Sequence, residues 1–188
     1  MAASYRQLVN QADNAAFGDS GLHCRFCAAL RLIKSLKTMA ANPAREMSAA
    51  LKRLLVPSLT SAGFEGRFPR FCRRVGGTLQ FLAVFFDKQN TAFFLEFGAH
   101  PCGEKLTSWG EVVPEEKLLL EHVLFNRRAR LQANCEGGSM VDQWFCFAAY
   151  ETEKEYNALA ELVAGMLPQV EAWFASALVG PNLSANGF

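Results

Sequence analysis

The chain has 188 residues and carries 19 basic and 18 acidic side chains, for a formal net charge of +1. Nucleic-acid-binding domains are usually clearly basic, so this balance argues against nucleic acid as a partner. Hydrophobic residues make up 51% of the chain and sixteen of them are phenylalanine, which predicts a globular domain with a core large enough to need no disulfide or metal.

The six cysteines are scattered through apolar stretches, and we expect them to be reduced and buried. No stretch approaches about 18 uninterrupted apolar residues, so no membrane span is expected, and no signal peptide is recognised. These features predict a cytoplasmic protein without a cofactor.

Residues 1–46 hold six Lys and Arg against three Asp and Glu and are predicted to be an N-terminal extension, partly disordered with one amphipathic helix over residues 22–39. We favour a surface helix or an arm docked on the body over a membrane-surface or targeting helix. A third interpretation takes Met47 as the natural start of the protein.

Asn42 and Pro43 predict the N-cap and first position of a helix. Pro57 should kink this helix, and Gly63 suits a left-handed position after its end. The predicted apolar face consists of Met47, Leu51, Leu54, Leu55 and Leu59.

The stretch Thr78–Gly98 predicts a β-hairpin, because two apolar runs flank the polar cluster 87–90. Phenylalanine lies on both faces of these runs, so we expect central strands covered in part on each side. Residues 63–74 predict a preceding strand, placed at a sheet edge because Pro69 cannot donate to a ladder. Gly76 and Gly77 predict the turn between them.

Further along, Pro114-Glu115-Glu116 predicts the start of a short helix, whereas Leu118–Phe125 fits a helix or a strand. Strands are predicted over Arg127–Ala133 and Gln143–Tyr150. Thr152 and Glu155 form a capping box that begins the last helical stretch.

Pro168 should kink that stretch or divide it into two abutting helices, and Gly180-Pro181 should end it. The predicted class is thus α+β, an antiparallel sheet of four to five strands with N- and C-terminal helices packed on one face. Residues 47–180 form a single α+β domain in this prediction, followed by a loose tail over residues 181–188.

The sequence also resembles the bacterial family known as domain of unknown function 4304, over about residues 47–178. Its most specific block is Gly63-Phe64-x-Gly66-x-Phe68-Pro69-x-Phe71. The other matching motifs are Val56-Pro57-x-Leu59, Arg73-Arg74, Phe85-Phe86-Asp87-Lys88, Arg128-x-Arg130-Leu131, Asp142-x-Trp144-Phe145 and Trp173-Phe174. The resemblance implies an α+β fold without an established activity. Some members look like proteins of a kind found beside toxin genes, and this association hints at toxin-neutralising binding.

Two groups of residues invite a catalytic or metal-binding interpretation. Cys24-x-x-Cys27 lacks the second pair that a structural zinc site usually requires. A nucleophilic pair of Cys102 with His100 or His122 would need contacts that sequence cannot establish. For both groups we favour an ordinary structural role.

Three acidic residues are candidates for binding or for structure. Asp87 fits turn chemistry better than a ligand or base role, and Asp142 is expected to fix the turn before its strand. Glu96 lies in a phenylalanine-rich strand, and a buried carboxylate requires a partner, which an arginine on a neighbouring strand would supply.

The arginines are the strongest functional lead. Those at 70, 73 and 74 lie on one predicted strand and those at 127, 128 and 130 on another. If the strands are close, alternate arginines gather on one face and can bind a carboxylate or phosphate. The alternative, which we favour, is a set of cross-strand ion pairs with Glu96, Asp87 or Asp142. The candidate binding residues are Arg70, Arg73, Asp87, Glu96, Arg128, Arg130 and Asp142.

The preferred functional hypothesis is a non-enzymatic binding protein whose partner is a protein such as a toxin, acting as an immunity protein and existing as a monomer or weak dimer. The second hypothesis is a small hydrolase or an anionic-ligand-binding enzyme that uses the arginine-lined sheet face.

Overall fold

The computed structural model describes residues 42–134 and 143–185. Helix α1 spans Pro43–Ser61. Its N-cap is Asn42, whose side-chain oxygen accepts a hydrogen bond from the Ala44 N–H at 3.1 Å. Gly63 follows the helix with φ +82, so both predicted ends are confirmed. The helix continues through Pro57.

Helices α2 (Glu153–Gly165) and α3 (Leu167–Ser176) abut at Met166. The capping box of Thr152 and Glu155 is present. The predicted division next to Pro168 is therefore confirmed. Helix α3 ends at Ser176, where the next residue, Ala177, takes a left-handed conformation. This end lies before the predicted one at Gly180-Pro181.

The main sheet is antiparallel throughout and has seven strands within the described ranges. Its order is β1-β2-β3-β4-β7-β9, with β8 also paired to β4. The strand bounds are β1 Glu65–Arg67, β2 Arg70–Val75, β3 Thr78–Phe86, β4 Ala92–Pro101, β7 Arg128–Leu131, β8 Phe145–Cys146 and β9 Leu183–Ala185. Strands β5 (Lys105–Leu106) and β6 (Val112–Val113) form a separate pair.

The predicted hairpin is confirmed, since β3 and β4 pair from Thr78↔Pro101 to Phe86↔Phe93. A tight turn joins β2 to β3, with Gly76 at φ +57. The α+β class is confirmed as well, and the strand count exceeds the predicted four to five.

Two predictions about the strands need correction. The first predicted strand is two strands, because the chain reverses at Phe68-Pro69 and β1 pairs back onto β2. The tail predicted to be loose contains β9, which pairs with β7. Strands of two or three residues are too short to show an alternating pattern in the sequence.

The segment Leu118–Phe125, whose sequence fits either a helix or a strand, contains 3-10 turns instead. Three such turns span Glu115–Lys117, Leu120–His122 and Phe125–Arg127. The first of them confirms the short helix predicted after Pro114.

Alternation along the strands gives the sheet two buried faces. On the helix face, Leu82, Leu95 and Leu131 belong to a core cluster that includes residues of α1, α2 and α3, such as Leu51 and Val163. On the opposite face, which we call the loop face, a second cluster packs strand residues against the segment between β6 and β7. Its buried members are Leu79, Phe81, Ala83, Val113, Leu118, Leu120 and Val123. Both faces of the central strands are thus covered, as predicted.

Candidate functional site

The loop face carries a carboxylate held between two arginines. In the β4–β7 register Glu96 is opposite Arg130, and Gly98 is opposite Arg128. The Glu96 oxygens accept hydrogen bonds from Arg128 Nη1 at 3.1 Å and from Arg130 Nε at 2.9 Å. The Glu96 side chain is only 7% exposed, so this is the arginine partnership that the sequence predicts for a buried carboxylate.

Other contacts fix both arginines of this cluster. Arg128 donates to the carbonyl oxygens of Val123, at 2.9 and 2.6 Å, and of Glu121, at 2.8 Å. The Arg130 guanidinium lies 4.7 Å from the centre of the Phe94 ring. Arg128 therefore makes four hydrogen bonds, and the cluster ties the covering segment to the sheet.

The β2 arginines divide between the two faces. Arg70 lies on the loop face and donates to Glu121 at 2.5 Å, and Arg74, on the same face, pairs with Glu115. Burial raises the pKa of Glu121, but the hydrogen bond from Arg70, a backbone hydrogen bond and the charges of Arg70 and Arg128 together outweigh burial, so the pKa is lower than usual. The positive charges of β2 on the loop face are thus balanced by the 3-10 segment.

Arg73 points to the helix face instead. It donates to Gln80 at 2.8 Å, to the Ala62 carbonyl at 2.5 Å and to Glu171 at 2.6 Å, and its guanidinium lies 4.3 Å from the centre of the Phe64 ring. It joins the end of α1 to β3 and α3. The predicted gathering of arginines on one face is therefore incomplete, because Arg73 faces away and β3 and β4 separate β2 from β7.

Asp87 organises the β3–β4 turn. Its Oδ1 accepts from the backbone N–H groups of Thr91 at 2.6 Å and Ala92 at 2.9 Å, and its Oδ2 accepts from the Thr91 hydroxyl at 2.9 Å. Burial raises the pKa of Asp87, but these hydrogen bonds, led by the one from Ala92, lower it below the ordinary value of 3.8. The geometry matches the turn role favoured from the sequence.

The remaining candidates are placed as follows. Asp142 and the Cys24-x-x-Cys27 motif lie outside the described residues. His122 Nδ1 accepts from the Leu119 N–H at 3.0 Å, and His100 Nδ1 lies 2.6 Å from the Pro101 carbonyl oxygen. In the described ranges neither histidine hydrogen bonds to Cys102, and no group of three or more His, Cys, Asp or Glu side chains is placed to hold a metal ion.

Two features escaped the sequence analysis. Arg127 lies in the third 3-10 turn rather than in a strand, and within the described parts of the chain its side chain makes no ion pair. The segment around β5, β6 and the 3-10 turns also exposes large apolar side chains. They are Leu106 (69% exposed), Trp109 (74%), Val112 (51%), Leu124 (53%) and Phe125 (63%). We call these five residues the apolar surface.

None of the helices in residues 42–134 and 143–185 is long and apolar enough to cross a membrane. Neither a family model, nor a curated protein, nor a solved structure matches this chain.

Proposed function

We propose that this chain is a non-enzymatic binding domain whose partner is a protein that contacts the apolar surface. The observation that carries the proposal is the exposure of five large apolar side chains in residues 106–125, each more than half accessible. Scattered single apolar residues are ordinary on a protein surface, whereas a concentration that includes tryptophan and phenylalanine is typical of interfaces.

Three side chains of the apolar surface, those of Leu106, Val112 and Leu124, lie close together. Leu106 and Val112 are partners in the β5–β6 pair, and Trp109 lies in the turn that connects them. Leu106 and Leu124 line one cavity. The surface therefore joins the β5–β6 turn to the start of the third 3-10 turn.

Hydrogen bonds hold the β5–β6 turn in place. The Thr107 N–H donates to the Glu111 carbonyl at 2.8 Å, and the Glu111 N–H donates to the Thr107 hydroxyl at 2.9 Å. The Trp109 indole N–H donates to the Glu111 carboxylate at 3.0 Å. A turn fixed in this way loses little conformational entropy when a partner binds, which favours affinity.

The narrower proposal is a bacterial immunity protein of the cytoplasm, monomeric or weakly dimeric, that neutralises a toxin. Its support is the resemblance of residues 47–178 to the domain of unknown function 4304 family. In this proposal the toxin contacts the apolar surface. The alternative, a small hydrolase or anionic-ligand-binding enzyme on the arginine-lined face, has weaker support. Arg70, Arg128 and Arg130 each already have an acidic partner.

Site-specific cross-linking in the source cells tests the proposal. A photoreactive amino acid replaces Trp109 in one variant of this chain. In a second variant it replaces Leu162, an apolar residue of α2 with 52% exposure. We expect position 109 to capture a distinct second protein that position 162 does not capture. Leu124→Ser should then weaken binding of that purified protein by about tenfold or more, while Leu162→Ser leaves it unchanged.

Two outcomes would overturn the proposal. One is the same set of adducts from both positions, which would show that Trp109 contacts proteins nonspecifically. The other is an adduct at position 109 that contains only a second copy of this chain, which would assign the apolar surface to self-association.

A further inference from the structure

A second site lies beside the apolar surface, at a cavity of about 400 Å³ that shares His100, Pro101 and Arg127 with the cavity lined by Leu106 and Leu124. It is bounded by the end of β4, the third 3-10 turn, the C-terminal part of α3 and β9. This volume lies within the range of pockets that hold small organic ligands, about 300–1,000 Å³. None of the five residues of the apolar surface lines it.

The charge of the lining is one-sided. Two arginines and a histidine line the cavity, Arg127, Arg128 and His100, and no Asp or Glu does. Arg128 is engaged by Glu96 and by backbone carbonyls. Among residues 42–134 and 143–185, Arg127 has no ion-pair partner, in contrast to the arginines of β2 and β7. The cavity therefore has an available guanidinium with no competing carboxylate in its wall.

The rest of the lining is mostly apolar and includes two aromatic rings. Trp173 and Phe174 line the cavity, and each packs against Phe97 in an edge-on arrangement, with ring centres 5.1 and 5.6 Å apart. The other apolar lining residues are alanines and one proline. Such walls favour a flat hydrophobic body over a sugar or a free phosphate.

Trp173 also carries an unsatisfied polar atom. Its indole nitrogen is buried, and in the described chain it has no hydrogen-bond partner. A buried donor without an acceptor is costly and uncommon in folded proteins, so the Trp173 ring is held in the cavity wall by its packing against Phe97 rather than by a hydrogen bond.

From these observations we propose that the cavity binds a small aromatic carboxylic acid. The carboxylate pairs with the Arg127 guanidinium, and the ring packs against Trp173 and Phe174. Guanidinium–carboxylate pairs are frequently bidentate, which gives orientation as well as affinity. The site is a binding site and includes no covalent step.

The test uses the full chain and naphthoate as the probe, with naphthamide as its uncharged counterpart. Calorimetry measures affinity and stoichiometry. The indole N–H resonance of Trp173, assigned by its loss in Trp173→Phe, reports whether the probe reaches this cavity. We expect one naphthoate per chain, a shift of that resonance on binding, and affinity for naphthamide at least about tenfold weaker.

The decisive variant is Arg127→Gln, which should weaken naphthoate binding by about tenfold. Arg67→Gln is its matched control, because Arg67 is also exposed and unpaired within the described residues but lies on β1, away from the cavity. It should bind naphthoate as the unmodified protein does. Both substitutions are at exposed side chains, so both proteins should fold.

Three results would each overturn the proposal. The first is an absence of saturable naphthoate binding. The second is equal affinity of the Arg127→Gln and Arg67→Gln variants, and the third is equal affinity for naphthoate and naphthamide. A failure of the cross-linking experiment at Trp109 would leave this proposal intact, because it concerns different residues.

Discussion

Replacing Glu96 with glutamine should strongly destabilise the fold while leaving its shape unchanged. Glutamine preserves the size of the side chain but removes the negative charge between Arg128 and Arg130. The Glu96 side chain is 7% exposed, and the two arginines are 18% and 25% exposed. The substitution therefore leaves two neighbouring guanidinium groups, both largely shielded from water, without the carboxylate that they share.

Removing one partner of a buried ion pair costs about 3–5 kcal/mol. The arginines retain some contact with water, and Arg128 keeps the carbonyl oxygens of Glu121 and Val123 as acceptors. We therefore expect the free energy of unfolding to fall by about 2–4 kcal/mol in Glu96→Gln.

The matched control is Glu153→Gln, which makes the same chemical change in an ion pair with Arg53. There the side chains are 72% and 48% exposed, so the expected cost is about 0–1 kcal/mol. Urea titration followed by circular dichroism measures both variants against the unmodified protein. If Glu96→Gln lowers the free energy of unfolding no more than Glu153→Gln does, the interpretation of Glu96 as a buried counter-ion is wrong.

Three further predictions concern the backbone and the helix face. Arg73→Lys should lower the free energy of unfolding by about 1–3 kcal/mol, measured by thermal unfolding, since lysine cannot reproduce the forked contacts of the guanidinium. Gly98→Ala should lower it by about 1–3 kcal/mol in urea titrations, because a Cβ would lie 2.8 Å from the Arg127 carbonyl oxygen. Asp87→Asn should make urea midpoints less sensitive to acid between about pH 5 and pH 2. The hydrogen bonds that the Asp87 carboxylate accepts hold its pKa in the folded protein below the ordinary 3.8. The charged carboxylate therefore stabilises the fold at neutral pH, and this stabilisation is lost as the pH falls through the folded pKa.

Each of these predictions has a control or an opposing outcome. Arg53→Lys changes an exposed arginine and should be nearly neutral, so equal losses at 53 and 73 would contradict the role given to Arg73. Gly77→Ala meets nothing within 4 Å and should cost less than Gly98→Ala. An unchanged acid dependence in Asp87→Asn would show that its hydrogen bonds do not stabilise the turn.

The long elements of this fold could be predicted because their patterns are long enough to be distinctive. Strands β3 and β4 have nine and ten residues, and in the sequence they are visible as two long apolar runs on either side of a polar cluster. The helix ends are marked by local chemistry at Asn42 and at Thr152. In contrast, β8 and β9 have two and three residues, and their pairing depends on tertiary contacts rather than on a local period.

The candidate site was predictable only in part, for a related reason. A glutamate within a phenylalanine-rich strand needs a partner, which made the contact between Glu96 and an arginine predictable. The glutamates that pair with Arg70 and Arg74 come from the irregular segment over the loop face, whose path no periodicity specifies. Arg127 could not be distinguished from Arg128, because the start of β7 is not marked in the sequence.

The short outer strands β1 and β9 have a consequence for how the molecule behaves at high concentration. They are the outermost strands of the described sheet, and within the described residues each has three residues to offer to an incoming strand. Exposed sheet margins promote aggregation, and short or charged ones, such as β1 with Glu65 and Arg67, oppose it. A chain lacking β9 would expose the backbone of β7 along Ala129–Leu131 to other molecules, so the three residues of β9 shield this side of the sheet from such contacts.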